Sequence, residues 1–158
     1  MGGNAFKTVL PDAQFPRMRT AVYQALKTRL TLRLRELYEH VTVLHEAPEK
    51  QDHGDVDFVV CQPLTTLQHE DIRAALGAVE CIATDSISNF AIRSVDYDEN
   101  AALHDFYQVD VQVCSDYDDW ERTVFFSSYG DVGMILGLIA RPLGLSLGKN
   151  GLKVRILF

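Results

Sequence analysis

Nowhere in its 158 residues does the chain have an apolar run approaching the ~18 residues of a membrane-crossing helix. The start, Met1–Phe6, lacks the apolar core of a secretory leader, and Phe6 stands where a myristoylation signal carries Ser or Thr. Cysteine is scarce too. Cys61, Cys81 and Cys114 form no CxxC pair, and their apolar neighbours favour buried free thiols. These absences lead to the expectation of an intracellular protein, cytoplasmic or nuclear, with no membrane partner. The histidines (His40, His45, His53, His69 and His104) have no zinc-ligand spacing, and there is no repeat or low-complexity stretch.

Basic residues are few where acids are many. Residues 51–122 hold three Lys or Arg against sixteen Asp or Glu, whereas residues 1–50 hold eight against five and residues 123–158 four against one. Neutralising a phosphate backbone takes Lys and Arg, so a long nucleic acid is an improbable partner for this domain alone. Solvated loops or a cation site suit the acidic centre better. The balance of 47% hydrophobic and 23% charged residues is ordinary for a globular domain and excludes disordered, collagenous and coiled-coil chains.

The expected fold is α+β: a small mixed β-sheet with helices packed on it, forming a single domain over 1–158. Val22, Leu26, Leu30, Leu34 and Leu37 recur at three- and four-residue spacings, predicting one long N-terminal helix over residues 18–39. Short strands are expected over Val41–Leu44, Asp55–Cys61, Val79–Thr84, Phe90–Val95 and Phe106–Cys114. Helices are expected over Leu67–Leu76, Tyr117–Ser127 and Gly130–Leu143. A loop at Glu46–Gly54, an acidic loop at Tyr97–Asp105, a turn at Gly148–Gly151 and a last strand at Leu152–Leu157 complete the pattern. The apolar ending Val154–Phe158 suggests the N-terminal part of a longer protein.

The chemistry concentrates in Gly54-Asp55-Val56-Asp57-Phe58-Val59-Val60. On a strand, Asp55 and Asp57 project from one face, about 7 Å apart along the backbone, while Val56 and Phe58 point into the core. Two like carboxylates on one face repel, and a shared Mg²⁺ or Mn²⁺ is the usual remedy. Gly54 permits a tight backbone approach just before the pair. Asp110 lies on the polar face of the alternating strand Tyr107–Val113, and pairing beside the first strand would bring it about 5 Å from the pair. Three carboxylates so placed can hold two divalent ions for phosphoryl or nucleotidyl transfer. The plain alternative is that Asp55 and Asp57 are solvent-facing strand residues and Asp110 is unrelated.

The run Lys50-Gln51-Asp52-His53-Gly54-Asp55-Val56-Asp57, followed by Gln108-Val109-Asp110-Val111, resembles the DNA polymerase beta-like nucleotidyltransferase superfamily. Within it, the run is similar to divergent nucleotidyltransferase-like proteins of fungi and large phages. Tyr129-Gly130-Asp131-Val132-Gly133, Gly144 and Gly148-Lys149-Asn150-Gly151-Leu152 are similar to the segment after the third aspartate in that group. The resemblance spans roughly residues 45–152. It implies a two-metal site with Asp55 and Asp57 as metal ligands, Asp110 as ligand and base, Mg²⁺ or Mn²⁺ as cofactor and an NTP as donor. It leaves the acceptor unspecified. The superfamily's usual Gly-Ser before the aspartate pair has no counterpart in Val43–Glu49. Lys50 or Gly2 and Gly3 are candidate substitute phosphate contacts. That departure leaves open a catalytically degenerate member serving as a binding or regulatory module, or a half-site completed by a further domain.

Overall fold

A computed structural model describes residues 4–84, 86–130 and 132–154. Gly2 and Gly3, Asp131 of the segment similar to that family and the end of the expected last strand lie outside them.

The alternating strands assemble as expected into an α+β architecture. A five-stranded mixed sheet has the order β2–β4–β7–β6–β5, with ranges Tyr38–Val43 for β2, Asp55–Pro63 for β4, Glu80–Ala83 for β5, Ile87–Arg93 for β6 and Phe106–Val113 for β7. The central pair β4–β7 is parallel and the other pairings are antiparallel. A parallel pair needs a long crossover, which is supplied by α2 (His69–Leu76) and the β5–β6 hairpin. Two further ribbons flank the sheet: β1 (Met18–Arg19) with β3 (Asp52–His53), and β8 (Leu145–Gly148) with β9 (Gly151–Val154).

One face of the sheet carries Val56, Phe58, Val60, Val109, Val111, Phe90 and Ile92. Helix α1 (Thr20–Arg35) buries Val22, Tyr23, Leu26, Leu30 and Leu34 against this face, and α2 adds Ile72 and Leu76. Among the described residues the opposite face is covered at its two ends. Phe6, Leu10 and Phe15 pack on Ala91 and Phe106 at one end. At the other, α3 (Tyr117–Ser127) lays Trp120 and Val124 over Val59, Cys61 and Cys114. The polar positions Asp55, Asp57, Gln108 and Asp110 fall between those two lids.

The N-terminal helix is shorter than its spacing predicts. It spans 16 residues, because Met18–Arg19 pairs with β3 and Tyr38 already begins β2. Leu34 and Leu37 keep a helical interval, but from Tyr38 the alternation of Val41 and Val43 sets strand period two, and Tyr38 is buried as a strand residue. Asp116 caps α3 by accepting the Asp119 N–H at 2.7 Å. Helix α4 (Val132–Ala140) ends in a 3₁₀ turn at Arg141–Leu143, where Pro142 stops it. Among the described residues no single helix is long and apolar enough to cross a membrane.

Candidate functional site

The parallel register sets Asp57 directly opposite Asp110 and Asp55 opposite Gln108. Paired residues on adjacent strands share a face, so the three aspartates stand on the same side of the sheet, on strands about 4.8 Å apart. The antiparallel register of β6 adds Asn89 opposite Asp110. Hydrophobic alternation produces this arrangement: Val56 and Phe58 on β4, and Val109 and Val111 on β7, must face α1, which turns the intervening acids to the other side.

Asp110 is held in place. Its Oδ1 accepts from Asn89 Nδ2 at 2.6 Å and from Gln108 Nε2 at 2.9 Å, while among the described residues Oδ2 accepts from Gln108 Nε2 alone, at 3.0 Å. Burial raises its pKa; the Asn89 and Gln108 hydrogen bonds pull it down, and the Asp55 charge raises it again. Asp57 is more strongly perturbed. Burial pushes its carboxyl up to about 7, helped by the charges of Asp55, Asp110 and Glu46, with Lys50 acting the other way. A half-buried carboxylate among like charges gains most from a nearby cation.

Lys50, a candidate phosphate contact, is engaged by Glu46, its Nζ lying 2.5 Å from Oε2. Glu46 also lies 3.2 Å from Nδ1 of His53. Burial raises the Glu46 carboxyl, but hydrogen bonds and charge from Lys50 and His53 outweigh that and hold it below the usual range. His53 is buried, its ring stacks on Tyr23 at 3.9 Å, and among the described residues its Nε2 has no hydrogen-bond partner. Burial first, then the charges of Glu46, Asp57 and Asp55, raise the Tyr23 phenol. Gly54 is buried and joins β3 to β4. The described glycines with positive φ are Gly77, Gly130, Gly144 and Gly151, so the chain passes Gly54 without a left-handed conformation.

Glu46 and Tyr23 are the members that sequence reading missed. Glu46 has no motif around it; the β2–β4 pairing brings it in, Leu44 N–H donating to the Asp57 carbonyl at 3.0 Å two residues earlier. Tyr23 belongs to the buried face of α1 and reads as core.

Among the described residues no group of three or more His, Cys, Asp or Glu side chains is gathered closely enough to hold a metal ion as it stands. In donor chemistry and strand register the three aspartates nevertheless fit a hard divalent cation: they offer carboxylate oxygens on one face, and Asp57 is destabilised in its ionised form. No protein-family model matches the chain, and no curated protein matches its sequence.

Proposed function

We propose that this is a metal-dependent nucleotidyltransferase-like domain of the DNA polymerase beta-like type, transferring a nucleotide from an NTP to a hydroxyl acceptor. The observation that carries the reading is the direct opposition of Asp57 and Asp110 on parallel strands, with Asp55 on the same face. When bound, two divalent ions would offset the triphosphate charge and ease ionisation of the attacking hydroxyl. Asp55 and Asp57 would hold them, and Asp110 would contribute one oxygen. The Oδ2 of Asp110, with fewer partners than Oδ1, is the oxygen available to take the acceptor's proton. The acceptor oxygen then bonds to the α-phosphorus as the bond to pyrophosphate breaks. Asn89 and Gln108 keep the Asp110 carboxylate aimed at that point by donating to it. Calorimetry with Mg²⁺ and NTPs tests this: metal-dependent binding is expected in the wild type and not in Asp57→Ala, and unchanged binding in the variant would contradict it.

A second reading, a degenerate binding or regulatory module of the same type, is favoured by Glu46. Where the superfamily carries its phosphate-contacting Gly-Ser, this chain places an acid that occupies Lys50. Nucleotide binding without transfer of an α-labelled nucleotide to any acceptor supports that reading, and detectable transfer excludes it.

A further inference from the structure

Between α3 and the loop after β2 lies a cavity of about 350 Å³ lined by residues that include His45, Trp120, Glu121, Val124, Phe125 and Tyr129. We propose that it receives the planar heteroaromatic base of the nucleotide. The link between base and transfer rests on the nucleotidyltransferase reading; the affinity of the cavity for a flat aromatic ring does not.

At about 350 Å³ the cavity falls within the ~300–1,000 Å³ range of small-molecule sites and has room for a base. The walls are flat and apolar. The rings of His45 and Tyr129 stack at 5.3 Å with planes 14° apart, and Trp120 is fixed by donating its Nε1–H to the Val59 carbonyl at 3.0 Å. Phe125 and Tyr129 remain 72% and 52% exposed, which leaves aromatic surface uncovered inside a concavity. Stacking on such surfaces is tolerant of base identity because every base has a π-face.

The backbone at Tyr129 carries a cost that its ring explains. Its φ is 60°, a left-handed conformation unfavourable for a bulky side chain. It is held there by its N–H donating to the His45 carbonyl at 2.5 Å and by the ring stack. Glycine would adopt the same backbone without strain, so the aromatic ring is what position 129 supplies.

Charge decides which end of a nucleotide enters. Among the described residues no Lys or Arg lines the cavity, and Glu121 adds a negative charge to its wall, so phosphates are disfavoured there. The loop then leads to the carboxylates within three residues: Leu44 is bonded to the Asp57 backbone, His45 forms a cavity wall and Glu46 binds Lys50. A base between His45 and Phe125 would direct its phosphates toward that side.

Trp120 is the only tryptophan in the chain, so its emission reports this cavity alone. The test titrates the full chain with adenosine, guanosine, cytidine and uridine without divalent metal, following Trp120 fluorescence and calorimetric heat, and then with the Mg²⁺ triphosphates. Saturable nucleoside binding is expected, weakened about tenfold or more in Tyr129→Gly, a variant whose unfolding midpoint should not fall, and unchanged in Asp57→Asn. The absence of nucleoside binding by both readouts, or equal affinity in Tyr129→Gly, would overturn the proposal. Asp57-dependent binding of Mg²⁺ triphosphates with no effect of Tyr129→Gly would overturn it while sparing the metal reading. Metal-independent nucleoside binding that triphosphates do not improve would support the cavity and sink the metal reading.

Discussion

Asp57 shows how a hydrophobic pattern creates a reactive group. Val56 and Phe58 are driven into the core, and the chain between them presents a carboxyl to a half-buried surface that Asp55 and Asp110 also occupy. An acid whose folded pKa, about 7, lies above its unfolded value of ~3.9 binds more protons folded than unfolded between those limits. Stability contributed by Asp57 is therefore highest below pH ~4, falls as pH rises toward about 7 and stays low above it. Asp57→Asn removes the ionisation and should stabilise the protein by on the order of 1–3 kcal/mol at pH 8 and by almost nothing at pH 4. Urea unfolding at the two pH values measures the difference; an equal effect at both would mean that ionisation of Asp57 is not strained. At this scale the shared face of Asp55 and Asp57 was legible from alternation, whereas the place of Asp110 beside them depended on the pairing of β4 with β7. Glu46 and Tyr23 were not, because a loop acid and a helix tyrosine acquire meaning only when β2 pairs with β4 and α1 lies over them.

At the scale of elements, α1 and α4 bury opposite kinds of residue. In α1 the large apolar side chains face the sheet, at positions such as Leu26 and Leu30. In α4 the inward positions include Gly133 and Ala140, and a Cβ built at Gly133 would collide with Phe126, while Met134, Ile135, Leu138 and Ile139 are exposed. Leu30→Ala should accordingly cost ~2–5 kcal/mol, whereas Ile139→Ala should stay within ~0.5 kcal/mol. Chemical denaturation of the two variants decides, and a comparable loss in Ile139→Ala would mean that α4 is packed more deeply than its exposure indicates. The core strands were legible from period-two patterns, with β6 displaced by three residues from its expected start at Phe90 to Ile87. The two-residue strands β1 and β3 are too short to leave a period, and the end of α1 was hidden because Leu34 and Leu37 satisfy a helical interval just before strand alternation takes over.

Across the whole molecule, the acid concentrated in residues 51–122 divides by use. Asp52 pairs with Arg17, Asp98 with Arg19 and Asp119 with Lys149, and Asp116 caps a helix. These exposed pairs and caps contribute little individually. Among the described residues no Lys or Arg forms a salt bridge with Asp55, Asp57 or Asp110, so their face should repel polyanions unless cations intervene. The isolated chain should therefore pass through a heparin column at ~0.15 M salt without retention; retention that salt elutes would reveal a basic surface large enough to grip a nucleic acid.

The aspartates of β4 and β7 are proposed to bind divalent cations. The most direct measurement is the electron paramagnetic resonance signal of free Mn²⁺ titrated into the protein at pH 7.5–8, in the wild type and in Asp57→Asn. Loss of the free signal in the wild type, saturating at about two ions per chain and largely abolished in the variant, is the predicted result. A free-ion signal unaffected by the wild-type protein, or the same uptake in both, would contradict it.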